Sequence, residues 1–174
     1  MMSRRQRNMI LGAKWAVYFL LLMLAATLQT TPGFLAIGEM RPIFILPLCI
    51  AVAAYEGEFA GALFGAAGGL LWDFTSGRIA GILALGLLAV CFFTAILVQL
   101  YLRISATNMI LTTGAASLWI SGIDFLFYYL MPGYAGAADR YFSVVLPEVV
   151  FTAVLSPLAL YLVQRVWKRL TVED

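Results

Sequence analysis

The chain has 174 residues, of which 63% are hydrophobic and 11% charged, with a formal net charge of +2 and a mean hydropathy of +0.96. That leaves too little polar surface to cover a water-soluble globule and places the chain in a bilayer. Histidine is absent, which removes the commonest general base, proton relay and metal ligand together.

Hydropathy predicts an all-α integral membrane protein with six apolar segments, 12–30, 42–55, 58–74, 79–102, 108–130 and 143–166, in a single polytopic domain over 1–174. The first carries a basic head like a secretory signal. Its apolar run is long for one and no small-x-small cleavage site follows, so it reads as an uncleaved first span. The second and third are short, and Pro42 and Pro47 punctuate the second, which makes a re-entrant hairpin over 42–74 the competing arrangement. A hairpin would hold Glu56 and Glu58 in hydrocarbon, where each ionisable group costs about 2.5–3.5 kcal/mol, whereas two spans put Tyr55-Glu56-Gly57-Glu58 in water. Six transmembrane helices are therefore expected. Cys49 and Cys91 fall inside apolar runs and read as small buried hydrophobes.

The third segment has a distinctive pattern. Gly57, Gly61, Gly65 and Gly69 recur every four residues, and the next rung is Asp73. Four residues advance a helix by about 400°, so the rungs form one slowly drifting groove into which another backbone can settle. Such a groove serves packing within the chain and a partner interface equally well. On that reading the candidate interface residues are Gly57, Gly61, Gly65, Gly69, Asp73, Gly77 and Gly81.

Two further carboxylates are expected at the same membrane depth as Asp73. Asp124 sits about 9 Å inside the outer end of the fifth span, and Glu148 lies in the first turns of the sixth. An intramembrane carboxylate must neutralise, hydrogen-bond or find a cation. The plain structural reading bonds Asp124 to Ser117 or Ser121 and pairs Asp73 with Arg78. A catalytic pair of Asp73 and Asp124 would require the third and fifth spans to meet, and no motif for phosphate, dinucleotide or zinc binding accompanies them, so no enzyme, cofactor or metal is expected.

Basic residues set the orientation. With a cytoplasmic amino terminus, Arg4, Arg5, Arg7, Lys14, Arg103, Arg165, Lys168 and Arg169 lie inside and only Arg41, Arg78 and Arg140 outside. Both termini are thus expected in the cytoplasm. Trp15, Tyr18, Trp72, Tyr101, Tyr128, Tyr129, Tyr141, Tyr161 and Trp167 gather near span ends as an aromatic belt. No charged tail is long enough to recruit nucleic acid.

Arg41-Pro42 opening an apolar helix, then Gly61, Gly65, the run Gly69-Leu70-Leu71-Trp72-Asp73-Phe74-Thr75-Ser76-Gly77, and Gly81, together resemble the rod shape-determining protein MreD family. The motif covers 41–81; chain length and six segments with little loop are similar throughout. The resemblance implies a non-enzymatic scaffold in the bacterial inner membrane that supports side-wall peptidoglycan synthesis and regulates cell shape. It also implies as partners the single-span protein MreC, indirectly the cytoskeletal actin homologue MreB, a RodA-type glycosyltransferase and its penicillin-binding transpeptidase, and membrane lipid. The implied fold is similar to the substrate-binding components of energy-coupling-factor transporters, which makes a vitamin-binding subunit the alternative. A vitamin site needs convergent polar groups in a concave pocket, whereas the outer loops offer mainly Glu39, Arg41, Arg78, Asp139 and Arg140, which favours the scaffold.

Overall fold

A helix too short to span the hydrocarbon must lie within protein, and one such helix organises this molecule. In the computed structural model, residues 4–33, 41–77, 81–127, 131, 133 and 137–170 are described, and their regular elements are all helical. Helix α1 spans Arg4–Thr30, α2 Ile45–Glu56, α3 Glu58–Ser76, α4 Ile82–Leu100 and α5 Ala106–Phe125. A short α6, Ala137–Arg140, continues through a π-helical turn at Tyr141–Val145 into α7, Leu146–Leu170. Each expected segment corresponds to a helix. The first begins eight residues earlier than expected, because the basic stretch from Arg4 is itself helical and extends the apolar run.

Three helical stretches, Arg5–Thr30, Ile82–Leu100 and Tyr141–Leu170, are long and apolar enough to cross a membrane. By contrast α2 has 12 residues, a length of about 18 Å. Its residues 45–53 are all buried, and α1, α3, α4, α5 and α7 pack around it. A helix enclosed by protein need not match the thickness of the hydrocarbon.

Burying the start of α2 leaves its first N–H groups without water, and neighbouring helices supply the acceptors. The Gln29 side-chain oxygen of α1 accepts from Phe44 N–H and Ile45 N–H at 3.1 and 3.2 Å, and Thr152 Oγ1 of α7 accepts from Ile43 N–H at 3.1 Å. Pro42 lies before the helix, which starts at Ile45 rather than 42. Pro47 falls in the first turn, where its missing N–H would have had no partner. Gly57 alone separates α2 from α3, and its φ of 89° gives the chain a reversal that a side chain would strain.

The glycine ladder is filled from within. A Cβ at Gly61 would stand 2.4 Å from Ala53 Cα of α2; one at Gly65 would meet Leu87 O and Cys91 Sγ of α4; one at Gly69 would lie 2.4 Å from Ala84 Cα of α4. The drift of the row explains this division, since rungs four residues apart rotate by about 40° and the row turns from α2 to α4 between Gly61 and Gly69. The groove is thus occupied by this chain's own helices and is no open surface for a partner. Gly68, outside the four-residue row, is also packed: seven residues bring it back within about 20° of Gly61, and its Cβ would meet Cys49 Sγ at 2.6 Å. Cys49 and Cys91 are buried and free, as their apolar setting predicts, and each rests on a glycine of α3. Tyr18 and Trp72 are core residues rather than members of an aromatic belt.

These contacts predict that Gly69→Leu lowers abundance and thermal stability of the solubilised protein by on the order of 1–3 kcal/mol through overpacking. Gly86 of α4 is the contrast, because the nearest atom to its added Cβ is 3.9 Å away. Gly86→Ala should be neutral or raise stability by up to about 1 kcal/mol, measured in the same melt.

Candidate functional site

Asp73 is the last rung of the ladder and faces the start of α4. It is 1% exposed. Its Oδ2 accepts from Gly81 N–H at 2.8 Å and Ala84 N–H at 3.3 Å, and its Oδ1 accepts from Leu83 N–H at 3.3 Å. A carboxylate from one helix thereby caps the positive amino-terminal end of the next. Gly77 and Gly81, at φ 63° and 103°, end α3 and begin α4 on either side of the turn. The expected pairing of Asp73 with Arg78 lies outside the described residues, as do Glu39, Tyr128 and Tyr129.

At the opposite end of the bundle, Lys14 Nζ of α1 lies 2.7 Å from Glu56 Oε2, and Tyr18 O–H donates to Glu56 Oε1 at 2.9 Å. Both charged side chains are at most 10% exposed. Glu56 is therefore enclosed rather than in water, and the reason is the length of α1, which carries Lys14 down beside the end of α2. Glu58 meets Gln99 of α4 at 2.6 Å on the exposed side of the same turn. These pairs fasten α1 to α2 and α3 to α4 at the end where α1 begins and α7 finishes.

The open polar concavity lies at the other end. One pocket of about 320 Å3 is bordered by Gln29 and Thr30 of α1, Arg41, Thr75 and Ser76 of α3, and Glu148 of α7. A second of about 80 Å3 holds Ser121, Asp124 and Glu148. The two share Ile43, Trp72 and Glu148 and so form one cleft with an apolar floor and a polar rim. Its rim bears the Arg41 cation and two carboxylates, which gives it charge of both signs and many hydrogen-bonding groups.

Of the residues singled out from sequence, Asp124 and Glu148 come together in this cleft, while Asp73 is spent on α4 and does not line the pocket with Asp124. Ser117 does not serve Asp124: its Oγ donates to Gly114 O at 3.1 Å, whereas Ser121 lines the pocket beside Asp124. Four other residues carry no site expectation from sequence: Gln29, Thr152, Lys14 and Glu56. A signal for two of them exists in α1, where Lys14, Tyr18, Leu22, Ala25 and Gln29 recur at steps of three and four and mark one inward stripe.

The family model described as rod shape-determining protein MreD matches residues 9–169, so the chain belongs to that family. No match was found among curated proteins or among solved structures.

The Asp73 cap predicts unequal costs for two substitutions. Asp73→Leu strands buried N–H groups of α4 at about 1–3 kcal/mol each and should deplete the folded protein, while Asp73→Asn retains an acceptor and should cost about 1 kcal/mol; thermal melts in detergent separate them. The enclosed ion pair gives a second contrast. Lys14→Met leaves Glu56 without its cation and should cost on the order of 3 kcal/mol. Adding Glu56→Leu should recover most of that loss, because no unpaired charge then remains.

Proposed function

We propose that this member of the family is a non-enzymatic membrane scaffold of the cell-elongation complex, and that it engages its partner through the polar cleft rather than through the glycine helix. The observation that carries this reading is the contrast between the two features. The smooth face of α3 is filled by α2 and α4, while the cleft keeps Gln29, Arg41, Ser76 and Glu148 around an open volume of about 320 Å3. Binding there would rest on hydrogen bonds and paired charges, which fix register and orientation of the bound segment.

The orientation that suits this role sets α1, α4 and α7 across the bilayer, with α2, α3 and α5 packed among them and both termini in the cytoplasm. Arg5, Arg7, Lys14, Arg103, Arg165, Lys168 and Arg169 gather at one end of the bundle, against Arg41 and Arg140 at the cleft end, among the described residues. An excess of basic residues marks the cytoplasmic side. The cleft then opens on the outer face, where a single-span partner of the MreC type leaves the membrane. Through that partner the scaffold would act on the MreB cytoskeleton, the RodA-type glycosyltransferase and the penicillin-binding transpeptidase that build side-wall peptidoglycan.

The test uses Ser76, exposed on the rim. Ser76→Trp should leave abundance and melting unchanged, abolish co-purification of the MreC-type protein, and fail to restore rod shape in cells depleted of their own copy. Full restoration of shape would place the interface elsewhere. Ser76→Cys should react with an impermeant thiol reagent added to intact cells, and Arg103→Cys only after permeabilisation; the reverse pattern would invert the proposed orientation.

A further inference from the structure

Consecutive helices joined by a short loop usually pack along their length, but α4 and α5 do not. Only Leu102–Ser105 separate the turn after α4 from α5, yet α4 packs chiefly on α3 and α5 chiefly on α7. The gap is a lateral groove of about 340 Å3, lined among others by Phe93, Thr94 and Leu97 of α4 and by Thr112, Ala115 and Trp119 of α5. Its walls are bare: Phe93 and Trp119 are 63% and 61% exposed. One of its two hydroxyls is already bonded within its own helix. Thr112 Oγ1 bonds to Asn108 O at 2.8 Å and Met109 O at 3.2 Å, and Thr94 is buried. A groove this size and this apolar holds hydrocarbon rather than ordered water, which needs polar partners.

One end of the groove lies toward the α4–α5 loop. Thr94 and Thr112 also line a small pocket of about 10 Å3 that Arg103, Ser105 and Asn108 border, so the groove and the loop are neighbours. Arg103 is exposed there, with no ion pair among the described residues. No acidic residue lines either cavity. The loop itself is fixed, since Asn108 Nδ2 donates to Arg103 O at 2.8 Å and Ser105 Oγ accepts from Asn108 N–H at 3.3 Å. The start of α5 adds its own partial positive charge beside Arg103.

We propose that the α4–α5 groove is a binding site for one anionic phospholipid, with an acyl chain between Phe93 and Trp119 and the phosphate at Arg103. The occupant follows from the two ends together: a hydrocarbon chain matches the groove, and a negative headgroup matches a fixed loop that offers a cation and no carboxylate. The site lies at the end of the bundle that holds both helical termini, away from the polar cleft. It requires no partner protein.

Native mass spectrometry of the full chain, released from detergent after incubation with phosphatidylglycerol or phosphatidylcholine, tests the proposal. One phosphatidylglycerol should remain bound in preference to phosphatidylcholine. Arg103→Gln should reduce its retention about fivefold, the equivalent of about 1 kcal/mol per interfacial cation, and reduce that of phosphatidylcholine, whose choline offsets its phosphate, by less. Ala115→Leu, at an exposed position on the groove floor, should reduce retention of both lipids. Equal retention of the two lipids by the unsubstituted chain would overturn the headgroup assignment. Retention untouched by Ala115→Leu would overturn the groove, and conversion of a dimer to a monomer by that substitution would assign it to a second copy instead.

Discussion

The structure depends on burying a short helix end inside a protein. Helix α2 is apolar on every face and too short to reach across a bilayer unaided, so its first N–H groups would be stranded away from water. Each stranded group costs about 1–3 kcal/mol, and the acceptors come from helices far away in sequence, Gln29 in α1 and Thr152 in α7. Those three bonds fix where α1 and α7 stand relative to the core. The Lys14–Glu56–Tyr18 cluster does the same near the other end of α2.

Helix α3 then holds the second layer. Four glycines on two sides of one helix let α2 and α4 approach to backbone contact, and Asp73 closes the arrangement by capping α4. In a membrane, where helices gain nothing from leaving water, close packing and satisfied polar groups are what bind them together. The consequence is a rigid core from α2 to α4 whose sealed surfaces are unavailable to anything else. Among the surfaces left open are a polar cleft at one end and an apolar groove between α4 and α5.

These two openings differ in chemistry, and the difference separates their roles. The cleft joins Arg41 to the carboxylates Asp124 and Glu148 over the Trp72 floor, a setting for specific polar recognition. The groove presents aromatic and aliphatic walls with one cation at its mouth, a setting for lipid. Under the proposed function the first opening would hold a partner in a defined register. The second would couple the same scaffold to the composition of the surrounding bilayer.

The sequence by itself determined the membrane character, six helical segments and the family, because hydropathy and the Gly-x3-Gly row ending in Asp73 are local patterns that survive without coordinates. It also marked Cys49 and Cys91 as buried and Asp124 and Glu148 as carboxylates needing company. Only the tertiary structure decided what occupies the glycine row, since a smooth face accepts a neighbour in the same chain or another molecule equally well and a drift of about 40° per rung divides it between two helices. The same holds for Glu56, which reads as a solvated turn residue until α1 is seen to bring Lys14 and Tyr18 beside it. Side chains such as Gln29 and Thr152 carry no signature, because the acceptors they provide are demanded by a helix end that lies far from them in sequence and becomes buried only when the bundle closes.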